Sequence, residues 1–570
     1  MTIQKMPVSM SAFPVDPADP AKVLLTGLFE ETVEVKGEQR RFLTYLAPGL
    51  HNNRSAVVAV PPAGDEPVGF LERSGLRELA DREQIFVSLL LAENGAWDLG
   101  GRDADYMNAV NVQVQACVYY VTLLGDNIYA LGFGDGADVA QQACMKSTSQ
   151  WSGLGTIGDL TKAAMLNALV SEGGDDTALD EAGVLGDKCQ LTVWLAVSEY
   201  READRAAAEY WRSQNEDTGE VLSGEGADLI YMPLPAVKYS QVNEENISQV
   251  RITLRRTESD GAFLAAMWKY VGAARRHRSF GRKALRYCRD ALKLGAVRCT
   301  MEFEGLTREW YEYVPEKLRG GGHPVPLVVC MHGRGGDGES FFDISALNSV
   351  AEERGFIAVF PTAGLFQQKP DGVTNVTLWD EKVYTADPEV RFIRAMVADI
   401  LSRHSIDRRR IYACGQSSGG RMSTVLGGAA SDLFAAVCPW SAMHAMDDPT
   451  PILPAYKMPY LVIYGDKDPG IAGTREAPDG FKLAPGTAAY RDALIRHMDL
   501  ESEPLHYVCG EISYWQYRDR DGVPMLTFGV VKDMPHSNFP QESWIAYDEH
   551  FAKFSRDEDG TLYYMGRKVK

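Results

Sequence analysis

The sequence predicts an α/β fold built twice, as two tandem domains with mostly parallel sheets flanked by helices. Three observations carry that expectation. Short apolar runs rich in Val, Ile, Tyr and Phe alternate with longer helical patterns, the signature of βαβ units. The alternation occurs in both halves with matching motifs in the same order. A length of 570 residues is room for two large domains.

The second copy is read first because its pattern is clearer. Residues 327–331 (Leu-Val-Val-Cys-Met) form a buried strand, 344–354 a helix, 356–360 a strand and 388–404 a long helix. Residues 410–414 form the next strand, 420–430 the helix after it, 461–464 and 525–531 further strands, and 541–554 a terminal helix. In the first copy, residues 56–60 match 327–331, 79–82 match 350–353, and 127–132 (Asn-Ile-Tyr-Ala-Leu-Gly) match 410–415 (Arg-Ile-Tyr-Ala-Cys-Gly). The offset grows slowly, from 268 between Tyr45 and Tyr313 to 271 between Ala80 and Ala351, 282 between Trp97 and Trp379, and 283 between Gly132 and Gly415. Such ordered drift indicates an internal duplication with small insertions; coincidence would scatter the offsets.

The expected domains are 1–240, a connector at 241–298, and 299–570. Residues 261–298 hold ten basic residues and one acid, Asp290, against a net charge of −20 for the whole chain. They read as a basic helical connector whose charge docks on an acidic domain surface or a second subunit, so a homo-oligomer is an open possibility. The overall acidity argues against nucleic-acid or anionic-membrane partners. Nine scattered cysteines without a C-x-x-C pair suggest neither a disulfide framework nor a zinc site. The first residues lack an apolar signal-type core and no run reaches membrane-spanning length, which reads as a cytoplasmic protein.

The strongest chemical signal is Gly415-Gln416-Ser417-Ser418-Gly419, a G-x-S-x-G between a predicted strand and a predicted helix. A sharp strand-to-helix turn lifts the serine oxygen clear of the sheet, and the helix N-terminus favours negative charge there. A serine nucleophile needs an acid and a histidine, following it in that order in this arrangement. The loop after residues 461–464 offers Asp466 and Asp468; Asp468 is preferred because the acid must project beyond the strand. His536 falls in a loop before the last helix, whereas His506 falls in a predicted strand and His550 in the helix. Met331-His332-Gly333-Arg334-Gly335-Gly336 follows a buried strand, so the backbone N–H groups of Arg334 and Ser418 are the expected oxyanion donors. No Gly-Lys-Ser/Thr follows, so the loop is not a phosphate-binding P-loop.

From about residue 300 onward these motifs, together with residues 387–394, resemble the polyhydroxybutyrate depolymerase, feruloyl esterase and acetylxylan esterase group of α/β-hydrolases. The resemblance implies two α/β-hydrolase-like domains, the second a serine carboxylesterase with Ser417 as nucleophile, His536 and Asp468 as its partners, and no metal or organic cofactor. It also suggests a hydroxycinnamoyl or short hydroxyacyl ester as substrate. His332, Gln416 and Trp379 are candidates for contacting it, although a tryptophan such as Trp379 serves equally well in a core. Many secreted members carry leader segments and disulfides, and this chain shows neither, which speaks against an extracellular polymer. A serine peptidase acting on short peptides shares the same chemistry, and an inert scaffold with two silent domains is a different class of reading.

The first copy reads Gly132-Phe133-Gly134-Asp135-Gly136 at the elbow and Pro61-Pro62-Ala63-Gly64 at the oxyanion segment. Its serine is replaced by Gly134, and before residue 277 the only histidine is His51, which precedes the elbow. The expectation is a catalytically dead hydrolase-like domain. A dinucleotide site on its glycines is disfavoured because no second strand ending in an acid follows.

Overall fold

The computed structural model describes residues 1–6, 23–50, 54–116, 127–165, 189–235, 244, 246–255, 260–276, 285–367, 375–379, 388–445, 452–473, 481–532, 534–539 and 541–570. The chain divides into two units, one of residues 1–236 with 242–288 and one of residues 237–241 with 289–570.

The first unit's strands are β1 (Ile3–Lys5), β2 (Gly27–Val35), β3 (Glu38–Leu46), β4 (Ala56–Val60), β5 (Phe86–Leu90), β6 (Ile128–Phe133), β7 (Gly153–Ile157), β8 (Thr192–Val197), β9 (Asp217–Gly224), β10 (Ala227–Pro233) and β11 (Val250–Leu254). They form one sheet in the order β1-β2-β3-β5-β4-β6-β7-β8-β11-β10-β9. A hairpin of β12 (Ala274–Arg276) and β13 (Leu285–Tyr287) follows. The second unit contributes β14 (Val297–Phe303), β15 (Leu306–Tyr313), β16 (Val325–Met331), β17 (Ile357–Pro361), a small hairpin of β18 (Leu365–Gln367) and β19 (Asn375–Thr377), then β20 (Ile406–Gln416), β21 (Ala436–Trp440), β22 (Tyr460–Gly465), β23 (Leu505–Cys509), β24 (Ile512–Arg518) and β25 (Pro524–Val531). Its sheet runs β14-β15-β17-β16-β20-β21-β22-β25-β24-β23. From β2 and β14 onward the two orders correspond strand for strand.

In each sheet the six inner strands are parallel and the flanking strands pair antiparallel, except that β1 runs parallel to β2. Parallel strands covered by helices on both faces must be apolar throughout. Accordingly β4 to β8, and in the second unit β17, β21 and β22, are buried at every residue. This explains why those segments were legible as uninterrupted apolar runs. The two units are tandem α/β-hydrolase-like sheets, as the alternation predicts.

Three expectations change. The 344–354 helix is two helices, Gly338–Ser345 and Leu347–Arg354, parted at Ala346 with φ +55°. The first begins early because the Asp337 carboxylate caps it, accepting from the Ser340 N–H at 2.7 Å. The terminal helix is only Glu542–Ile545, continued by a π-helical turn at Ala546–His550. The basic connector at 241–298 is not a separate element, since residues 242–288 belong to the first unit. Its helix Gly261–Val271 buries Leu264, Met267 and Val271 against β7, where Gly153 and Gly155 leave room for Val271 and Met267. Arg276 is buried and donates to the carbonyls of Trp151 and Gln190, just before β7 and β8, so its charge is used inside the first unit. Arg278, Arg282, Lys283 and His51 lie outside the described residues.

Two features tie the second unit's loops together. Gly465 ends β22 against the backbone of Met534, so that any Cβ there overlaps the Met534 carbonyl. Beside it, Asp466 N–H donates to Val531 O at 3.0 Å and Lys467 N–H to Met534 O at 3.1 Å. Beneath the sheet, Cys330, Cys414 and Cys438 stand at one level on β16, β20 and β21. Glu542 is buried beside this row of thiols, with the Phe539 backbone as its neighbouring polar group.

Gly465→Ala is expected to destabilise the second unit by about 1–3 kcal/mol through overpacking, measured by urea unfolding; wild-type stability contradicts the close approach. Burial pushes the Glu542 carboxyl well above its ordinary value, so the folded form keeps its proton. The unfolded chain releases that proton above about pH 4.3, and stability therefore falls as pH rises through that value. Glu542→Met is expected to flatten this slope and to stabilise by about 1–3 kcal/mol at pH 7. Urea midpoints at pH 5 and pH 8 that keep the wild-type difference contradict it.

Candidate active site

Strand β20 turns into the helix Ser418–Ala429 at Ser417, whose backbone stands at φ +56° and ψ −117°. A non-glycine residue in that region is strained and persists only when its surroundings hold it. Ser417 N–H donates to Trp440 O on β21 at 2.9 Å, and Ser417 O accepts the first helical bond from Arg421 N–H at 2.9 Å. Gly419 permits the turn to pass under β16, because a side chain there would collide with the carbonyls of Met331 and His332.

The loop after β22 delivers Asp468, fully buried, and the loop after β25 delivers His536, whose side chain keeps 46% of its exposure. His536 Nδ1 lies 2.9 Å from Asp468 Oδ2, and Nε2 lies 2.8 Å from Ser417 Oγ. An ionised carboxylate only accepts, so Nδ1 donates to Asp468, leaving Nε2 to accept from the Ser417 hydroxyl. The Asp468 hydrogen bond raises the pKa of His536 above its ordinary value, against a smaller opposing effect of burial. Asp468 Oδ1 accepts from Gly470 N–H at 3.0 Å, which fixes the carboxylate plane.

The competing residues lie elsewhere. His506 stacks on Trp515 in the edge strand β23, with ring centroids 4.6 Å apart. His550 is buried, bonded to Val437 O at 3.1 Å and pushed down to about 3 by desolvation. Asp468, not Asp466, meets the histidine.

The Met331–Gly336 loop is held from behind. Gly335 N–H donates to Thr377 O at 2.8 Å, the Thr377 hydroxyl donates to Gly336 O at 2.5 Å, and Trp379 donates its indole N–H to His332 O at 2.9 Å. Trp379 N–H also donates to the Ser418 hydroxyl at 3.2 Å, joining this loop to the elbow. Ser418 is the first residue of its helix, where a backbone N–H has no intrahelical acceptor. Arg334 is exposed, and its backbone N–H is the group that bears on the oxyanion reading.

His332 and Trp379 are corrections to the expectation of substrate contact: both are buried, at 1% and 0% exposure. His332 Nε2 accepts from Ala363 N–H at 3.0 Å and Nδ1 donates to Gly333 O at 2.6 Å, a neutral ring that burial keeps uncharged. Gln416 is half-buried, with its side-chain oxygen against Gly333. Sequence reasoning missed Thr377 and Ser441; the latter's hydroxyl donates to Ser537 O, next to His536. Nothing in the sequence marks Thr377 beyond its nearness to Trp379. Among the described residues no group of three or more His, Cys, Asp or Glu side chains is placed to hold a metal, and no helix is long and apolar enough to cross a membrane.

The first unit keeps the scaffold of this site without its reactive groups. Gly134 takes φ +55° at the elbow and donates to Ile157 O at 2.9 Å, as Ser417 does to Trp440 O. Trp97 donates its indole N–H to Pro61 O at 2.9 Å, as Trp379 does to His332 O. Ala63 N–H, at the position of Arg334, donates to the Asp135 carboxylate at 3.0 Å. Among this unit's described residues there is no histidine.

Residues 316–449 match the family described as Esterase PHB depolymerase. A 140-residue stretch is 32% identical to feruloyl esterase B of Thermothelomyces thermophilus, covering 24% of this chain and 44% of that protein. Acetylxylan esterase A of Aspergillus ficuum is 27% identical over 135 residues, covering 24% and 42%. The chain thus spans less than half the length of these relatives. The solved acetyl xylan esterase from Aspergillus awamori aligns with 45% of this chain and 99% of its own at 15% identity and a TM-score of 0.35. The strand order, elbow and loop order set out above are those of an α/β-hydrolase, and the family match over residues 316–449 makes this part of the second unit similar to the polyhydroxybutyrate depolymerase, feruloyl esterase and acetylxylan esterase group.

Proposed function

We propose that the second unit is a serine carboxylesterase acting through an acyl-enzyme, with the first unit catalytically inert. The observation that carries this reading is the continuous hydrogen-bonded chain from Ser417 Oγ through His536 to Asp468, at 2.8 and 2.9 Å. His536 Nε2 takes the Ser417 proton as Oγ attacks the ester carbonyl. The carbonyl oxygen gains charge between the backbone N–H groups of Arg334 and Ser418. The tetrahedral intermediate collapses, and His536 passes its proton to the departing alcohol. Water then repeats the sequence on the acyl-enzyme, releasing the acid and restoring Ser417. Asp468 holds the imidazole tautomer and stabilises its cationic form.

The acyl group is of the hydroxycinnamoyl (feruloyl) or short hydroxyacyl type; the feruloyl esterase relative and the polyhydroxybutyrate depolymerase family matched at residues 316–449 support this class. The inertness of the first unit is supported by Gly134, which supplies no hydroxyl, and by Asp135, whose carboxylate occupies the amide that corresponds to an oxyanion donor.

Ser417→Ala is expected to lower hydrolysis of p-nitrophenyl acetate and methyl ferulate by roughly 10⁴-fold or more while the fold is kept; retained activity sinks the assignment. Because His536 must be neutral to act as base, kcat/KM is expected to fall with decreasing pH around a midpoint above about 6.5. In Asp468→Asn that midpoint moves down and kcat drops by roughly 10³–10⁴-fold; an unchanged acid limb contradicts the role of Asp468.

A further inference from the structure

We infer that Ser441 is a positioning residue for His536, one that the esterase reading above does not include and on which this inference rests. Ser441 follows β21 with φ +49°, a left-handed backbone conformation unfavourable for a serine. It is 2% exposed, so it does not meet substrate. Its N–H donates to Ile463 O at 2.7 Å, and its hydroxyl donates to the carbonyl of Ser537, the residue after His536. On the other side of the histidine, Met534 O accepts from Lys467 N–H at 3.1 Å. The two bonds bracket His536 and fix the stretch of chain that carries it.

The duplication supplies an internal control. Gly158 stands in the first unit where Ser441 stands in the second, since Ile157 and Trp440 occupy the same position on β7 and β21 and accept from Gly134 and Ser417 respectively. Gly158 N–H donates to Ala196 O at 3.0 Å, matching Ser441 N–H to Ile463 O. The backbone bond is therefore common to both copies, and so is the indole bond of Trp97 and Trp379. Among the described residues, the strained residue with a hydroxyl occurs only in the copy whose elbow meets a histidine. A side chain kept in an unfavourable conformation beside a reactive group points to that group.

Ser441→Gly removes the hydroxyl and relieves the strained backbone, so it folds. On p-nitrophenyl acetate its kcat is expected to fall by about 10- to 100-fold, with KM within about threefold of wild type and the thermal midpoint unchanged or raised. Ser441→Ala keeps the strain without the donor and is expected to lose kcat equally. Wild-type kcat in folded Ser441→Gly, or a loss confined to the glycine variant, overturns the inference. Ser417→Ala run alongside separates the two levels: if it still hydrolyses the ester, the esterase reading fails. If it is inactive while Ser441→Gly keeps full kcat, only the role of Ser441 falls.

Discussion

The bond from Ser417 N–H to Trp440 O, with the tight passage of Gly419 beneath β16, holds a serine in a backbone conformation it would not adopt alone. Everything else at the site is arranged around that point. The turn sets Oγ beyond the sheet, directs the first N–H groups of the following helix toward the same space, and fixes where the histidine must arrive. The cost of the strained residue is carried by the buried parallel strands on either side, which have no freedom to relax it. Two neighbouring loops, one bearing Asp468 and one bearing His536, are joined to each other by backbone bonds before their side chains meet.

The same turn exists in the first unit with glycine in place of serine, at nearly the same φ. This separates what the fold needs from what the chemistry needs. The backbone bond to the next strand, the indole bond to the loop carbonyl and the strand order belong to the scaffold, because both copies have them. Among the described residues, the elbow hydroxyl, the histidine bonded to it and the strained Ser441 occur in the second copy alone. Asp135 adds a further difference, since its carboxylate engages the Ala63 amide, whose counterpart in the other copy is that of Arg334. A carboxylate there disfavours the negative charge that acyl transfer develops.

Much of this was legible in the sequence because buried parallel strands leave continuous apolar runs and an elbow leaves a fixed motif. Ser417, Asp468 and His536 followed from their order and from the loops in which they fell, and the structure brings those three side chains together. The failures have physical causes. The basic segment was read by its charge density, but Arg276 is spent on carbonyls inside the first unit. His332 belongs to the Met331–Gly336 loop motif and Trp379 to a segment matched between the copies, yet both are buried, and a sequence pattern carries no sign of which face a side chain takes. Ser441 and Thr377 make hydrogen bonds to segments distant in sequence, which no local pattern announces.

The account stands on a covalent acyl intermediate at one serine of the second unit. Acid-quenching the full chain during turnover of p-nitrophenyl butyrate and mapping the acylated peptide by mass spectrometry tests it most directly. The expected result is one acyl group on the peptide that contains Ser417 and none within residues 1–288. Turnover without acylation at Ser417, or acylation in the first unit, would contradict the account.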